Sequence, residues 1–432
     1  MRASTTAAAL ALALALAAPP TIAAPRAAPK PPTAPRIITR DPTTVRHWKL
    51  YTELVFHPVN LVIDSSLPVQ PRPAFILQGF DFLYPVIPGS AATDSRPDLF
   101  SGVLRADRRL LDDTPQLLAD YQGPSSVATW NARAIDSFDI QFVGELWMSS
   151  WETRVDEAAA RRLPRIDAQW SPRLALLLQP QLFVETADPA VVRLAERWSA
   201  ELDPRTPLYF VAKHLADRAI RHFEPVEERI DSGPRFGVGA STVFKGRLTP
   251  GYRVSGAASA ARTGKGSLYD LACLLTAVYR AAGIPARLVI SFDIELSDRY
   301  RAPMLRASVE FFLPTQPAPA NPGAAVPVDL EQGEWIPVDI TRQREFSSQP
   351  QPMDQVWEHF GGSRESDFLC PIAYHWLPPE HCTNAGSPAL WGWNPSPVNP
   401  VAEVEIKMWA EQRAAPDPPP PSRPPPRPRA RP

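Results

Sequence analysis

Ser267 and Cys273, a hydroxyl and a thiol in the stretch Lys265 to Arg287, KGSLYDLACLLTAVYRAAGIPAR, are its candidate nucleophiles. A hydroxyl or thiol attacks a carbonyl only when a base takes its proton, so each needs a base within hydrogen-bond reach. Ser267, followed three residues later by Asp270, also fits the N-cap of a helix, where its oxygen accepts a backbone N–H. Cys273 lies inside the apolar run that follows and fits a small buried residue, the usual setting of a free cysteine. Downstream, His359, His375 and His381 accompany Cys370 and Cys382. His381 and Cys382 are adjacent and no C-x-x-C or H-x-x-x-H pair is present, so no metal is expected there. Cys370 and Cys382 instead suit a disulfide in an oxidising compartment, which leaves Cys273 as the third cysteine.

The element that must position Ser267 and Cys273 is a helix. Leu268, Leu271, Ala272, Leu275, Tyr279 and Ala282 recur with helical spacing after the Ser267 cap, which predicts a buried helix. Gly283 suits a left-handed C-cap, Pro285 forbids continuation, and Leu288-Val289-Ile290 opens a β-rich run, so a strand is expected to follow directly.

This stretch resembles the core of the transglutaminase-like family, in which a G-x-C opens a buried helix that ends in R-a-x-G-I-P-a-R. Arg280-Ala281-Ala282-Gly283-Ile284-Pro285-Ala286-Arg287 reproduces the end of that pattern. Two later blocks of the family, H-a-W-v-E and W-x-p-v-D-x-T, are similar to Arg306-Ala307-Ser308-Val309-Glu310 and Trp335-Ile336-Pro337-Val338-Asp339-Ile340-Thr341. The resemblance implies an α+β fold of the papain-like kind, a helix packed on an antiparallel sheet. Aligning Gly266 puts Leu268 where the family has its nucleophilic cysteine and Arg306 where it has its histidine, so that Asp339 alone keeps its family identity. Leucine forms no thiolate, and a guanidinium stays protonated and cannot act as the base. Cys273 lies five residues past Leu268, about 140° around a helix from it, and would face elsewhere.

The resemblance therefore implies a catalytically degenerate domain that serves as a binding or structural module. The alternative is an active acyl-transferase or peptide or isopeptide hydrolase with a relocated nucleophile, for which Ser267 and Cys273 are the weak candidates. Because the family's aspartate orients its histidine, Arg306 and Asp339 are expected to meet as a buried ion pair with two parallel hydrogen bonds.

The rest of the chain frames this core. Met1-Arg2, the Ala/Leu run Ala7 to Ala18 and the small residues before Ala23 have the form of a signal peptide over residues 1–23, which predicts secretion or export to a periplasm. No later run reaches about 18 uninterrupted apolar residues, so no membrane span is expected in the mature chain. Residues 24–36 are Ala/Pro-rich linker. Alternating runs at His47 to Phe56, Ala74 to Leu83 and Phe138 to Met148 predict an all-β, sandwich-like domain over residues 37–160. Residues 161–345 hold the core domain, with two helices starting near Asp188-Pro189 and Pro207, a long loop from Glu224 to Thr263, and strands at Leu288 to Ile294, Ala307 to Leu313 and Trp335 to Asp339. Residues 346–410 are aromatic and proline-rich and are expected as an irregular wrap, and residues 411–432 as a disordered Pro/Arg-rich tail. A formal net charge of −1 offers no broad basic surface for nucleic acid. No cofactor is expected, and the ligand classes that fit are a protein or an envelope polymer.

Overall fold

A computed structural model of the chain describes residues 36–58, 74–119, 125–226, 243–244, 247–248, 254–316, 325–346, 351–377, 390–396 and 402–416. The N-terminal half is built from strands whose side chains alternate between an inner and an outer face. In Arg46–Pro58 the inner set is Trp48, Leu50, Thr52, Leu54 and Phe56, all buried, and Lys49, Tyr51, Glu53 and Val55 are half-buried. Six strands form one sheet, in which Ala402–Gln412, Arg46–Pro58, Ile140–Ser150, Thr93–Ala106 and Gly89–Ser90 are successive neighbours and Arg109–Asp112 pairs with Thr93–Ala106. Four more, in the order Gly392–Ser396, Phe75–Val86, Ser126–Ser137 and Gln116–Leu118, form a second. Aromatic rings fill the inner faces. Phe82 and Phe142 approach to 4.6 Å, and Phe56 stacks on Trp393 at 5.1 Å.

The core sheet is antiparallel, in the order Gly333–Val338, Leu305–Pro314, Ala286–Asp293 and Leu369–Ala373. The core helix, Leu268–Ala281, starts with a complete capping box: the Ser267 side chain accepts from the Asp270 N–H, and Asp270 accepts from the Ser267 N–H. Every residue from Asp270 to Arg280 is buried. Helices Pro189–Ser199, Leu208–His222 and Ala257–Thr263 pack around it. Asp188 caps the first of these through a 2.8 Å bond from the Ala190 N–H, with Pro189 at the first helical position. One hydrophobic cluster runs through sandwich and core alike, and the described residues belong to one compact unit.

Two stretches differ from the sequence expectation. The Glu224 to Thr263 segment, expected as a loop, ends in the helix Ala257–Thr263, because Gly256 at φ 90° makes the entry turn and the Asp270 carboxylate accepts the Ser255 and Gly256 N–H groups. The 346–410 stretch is not an irregular wrap throughout: Leu369–Ala373 completes the core sheet, and Gly392–Ser396 and Ala402–Gln412 each add an edge strand to the sandwich. Val404, Ile406 and Met408 supply the buried alternation that makes the last of these a strand.

Candidate active site

Arg306 stands on the Leu305–Pro314 strand, opposite Ser291 of the neighbouring Ala286–Asp293 strand. Its side chain is only 7% exposed. At the end of one neighbouring strand, and just past the end of the other, stands an aspartate that caps a helix. Asp293 closes the first and its Oδ1 accepts the Leu296 N–H at 2.9 Å, capping Ile294–Tyr300. Asp339 follows the second and its Oδ1 accepts the Arg342 N–H at 3.1 Å and the Thr341 hydroxyl at 2.8 Å, at the start of Ile340–Phe346. Each aspartate turns its remaining oxygen to Arg306: Asp293 Oδ2 lies 2.5 Å from Nη2 and Asp339 Oδ2 3.2 Å from Nη1. Glu365, from the segment that leads into the Leu369–Ala373 strand, adds a third carboxylate 3.2 Å from Nη1 and is itself 3.2 Å from Arg342 Nε.

The expected Arg306–Asp339 contact is therefore formed, with 7% and 6% exposure, but through one hydrogen bond and not two. The reason is local. Asp339 Oδ1 is already committed to capping, so the second guanidinium nitrogen turns to Asp293. Burial works against the charge on Arg306, and Asp339, Asp293 and Glu365 together outweigh it, holding the guanidinium above its ordinary range. A guanidinium so held gives up no proton, so Arg306 does not serve as a general base.

Leu268 is the first residue of the core helix and is half-buried. The next residue, Tyr269, donates its hydroxyl to the Leu305 carbonyl at 2.9 Å, tying the helix start to the residue before Arg306. The structure thus brings the Leu268 end of the helix and the Arg306 strand together. Ser267 is spent on the cap: its hydroxyl donates to Asp270 Oδ2 at 3.1 Å and accepts the Asp270 N–H at 3.2 Å. Cys273 is fully buried within the helix, and burial, followed by the nearby Asp270 and Glu185 charges, pushes its thiol well above the ordinary range.

Cys370 is a free thiol, also fully buried, and burial with the Asp293 charge pushes it up. The disulfide expected between Cys370 and Cys382 is not formed at Cys370; Cys382 and His381 lie outside the described residues. Cys370 instead sits in the core sheet opposite Phe292, where a small apolar residue is what the packing takes. His359 and His375 are buried, and burial pulls His375 down to about 4. Among the described residues no group of three or more His, Cys, Asp or Glu side chains is arranged to hold a metal ion.

Asp293 and Glu365 were not singled out by the sequence. Asp293 had a readable signal, an acidic N-cap between the strand and Ile294-Glu295-Leu296; Glu365 had none, because only the folded chain brings its loop to Arg306.

Residues 239–340 match the model of the transglutaminase-like superfamily, and the match spans Leu268, Arg306 and Asp339. That segment is a transglutaminase-like core domain. Three solved structures align with between 62% and 88% of the chain at low identity. A cysteine-protease candidate from Cytophaga hutchinsonii is 10% identical, with 88% of this chain and 94% of that one covered and a TM-score of 0.46. The periplasmic domain of TgpA from Pseudomonas aeruginosa, bound to ethylmercury, is 17% identical, covers 62% and 91%, and has a TM-score of 0.23. A protease candidate from Parabacteroides distasonis is 12% identical, covers 64% and 56%, and has a TM-score of 0.22. No curated protein matches the chain.

Proposed function

We propose that this protein is an exported transglutaminase-like protein whose cysteine and histidine positions have been given over to structure, and that it works as a binding or structural module. The observation that carries this reading is the guanidinium of Arg306, set in the family's histidine position and held by the buried carboxylates of Asp293 and Asp339. A base in that place would have to release and regain a proton, which an arginine among three carboxylates does not do. Leu268 at the helix start supplies no nucleophile, and the relocated candidates fare little better: the Ser267 hydroxyl is engaged by Asp270, and burial raises Cys273. Export rests on the signal-like sequence of residues 1–23, which lie outside the described residues.

Thiol reactivity and acyl transfer measured together test the proposal. Mature protein is treated with iodoacetamide under native conditions, Cys273- and Cys370-containing peptides are followed by mass spectrometry, and hydrolysis and amide transfer are assayed on glutaminyl peptides with a fluorescent amine. The expected result is slow alkylation and no thiol-dependent turnover. Rapid stoichiometric alkylation of Cys273 with parallel loss of turnover would favour the relocated-nucleophile enzyme.

A further inference from the structure

Away from Arg306, helices Pro189–Ser199 and Ala257–Thr263 lie side by side and leave a depression of about 560 Å³ between them. Its apolar lining includes Ala190, Leu194 and Ala261, and its charged lining is Arg193, Glu196, Arg197 and Arg262. The volume falls within the range of small-molecule clefts, roughly 300–1,000 Å³. The small side chains of Ala190 and Ala261 explain the hollow, since larger ones at the same positions would fill it.

The arginines are the unusual part. Arg193 and Arg197 are one helical turn apart, on the same face, both exposed. Like charges at this spacing repel and weaken a helix unless a counter-charge sits between them. Among the described residues neither forms an ion pair. Arg262, from the opposite wall, is held 2.8 Å from Asp188, the residue that caps the helix carrying Arg193 and Arg197. That ion pair joins the two walls and fixes the third guanidinium. The three arginines face two carboxylates, Glu196 and Asp188, so positive charge is in excess.

We propose that this depression binds a ligand presenting two oxyanion groups about one helical turn apart, phosphate or carboxylate, through Arg193 and Arg197 with Arg262 closing the far side. The guanidinium fork matches the paired oxygens of either group, and the alanine-lined floor accepts the apolar part of the ligand that joins them. The site is independent of the acyl-transfer question, because none of its residues touches the Arg306 cluster.

Isothermal titration with propane-1,3-bisphosphonate and, separately, with glutarate, each carrying two oxyanion groups on a short apolar linker, at constant ionic strength, tests it and distinguishes the two oxyanion sources. The wild type is expected to bind at least one of them saturably, Arg193→Ala/Arg197→Ala to bind it at least tenfold more weakly, and Arg193→Lys/Arg197→Lys to fall between. Arg205→Ala, an exposed arginine elsewhere, should bind as the wild type does. Both positions are on an exposed helix face, and matching thermal melts show whether each variant is folded; should the alanine pair fail to fold, the lysine pair alone must still weaken binding. No saturable heat with either anion, or equal affinity in the wild type and the folded double variants, overturns the proposal.

Discussion

Arg287 and Arg306 are buried to nearly the same degree, 8% and 7% exposed, on adjacent strands of the core sheet, and strand alternation puts them on the same face. They are neutralised in different ways. Arg287 meets one carboxylate, Glu310, at 2.6 Å, and its guanidinium lies over the rings of Trp335 and Tyr374 at 4.1 and 4.3 Å. Glu310 also accepts the Ala91 N–H at 2.6 Å, and Tyr374 donates to the Gly89 carbonyl, so this site fastens the core sheet to a hairpin of the sandwich. Arg306 meets three carboxylates and no ring is over it among the described contacts. One arginine is half of a pair; the other is the counter-ion of a cluster that is acidic without it. The first position holds two layers together, and the second holds the ends of three core elements.

Arg306→Ala should show the largest effect, because it leaves Asp293 and Asp339 buried without their cation. Denaturant unfolding should register a loss of about 3–5 kcal/mol. A loss under about 1 kcal/mol would mean that water reaches the cluster and that the two arginines are less alike in burial than their exposures indicate. Arg287→Ala strands a single carboxylate that keeps its Ala91 hydrogen bond, and a smaller loss, about 3 kcal/mol, is expected in the same measurement.

Much of this was legible in the sequence, and the pattern of what was not is physical. The core helix, its Ser267–Asp270 cap and the Arg306–Asp339 contact were readable because local periodicity and three ordered sequence blocks specify them. The Ala402–Gln412 strand was not, although Val404, Ile406 and Met408 alternate: its hydrogen-bond partner is Arg46–Pro58, more than three hundred residues away, and prolines on either side obscured the pattern. Glu365 was invisible for the same reason. A carboxylate in a loop carries no periodicity, and only tertiary packing takes it to Arg306.

Neither guanidinium titrates near neutrality, so mild acid should leave the comparison intact and act elsewhere. His375, next to the ring that covers Arg287, is the clearest place. Burial lowers it to about 4 from an ordinary value of about 6.5, so the unfolded chain binds its proton first. Its contribution to stability is fully present above about pH 6.5 and is lost as the pH falls towards 4, at a cost of about 2 kcal/mol between pH 7 and 5. His375→Asn should flatten that part of the stability profile, measured by unfolding at each pH; an unchanged profile would show that other groups carry it. The smallest effect is expected at Glu365, whose side chain is 39% exposed. Glu365→Gln should change stability by less than about 1 kcal/mol, and a larger loss would make the third carboxylate an equal member of the cluster.

The central claim is that Arg306 is a structural cation locked to Asp339 and not a carrier of protons. A double-mutant cycle of Arg306→Ala, Asp339→Ala and the pair, measured by equilibrium unfolding, tests it most directly. The account predicts coupling of roughly 1–3 kcal/mol, with the double variant markedly more stable than the two single losses added together. Additive losses within about 0.5 kcal/mol would contradict it, since two buried opposite charges 3.2 Å apart cannot be energetically independent.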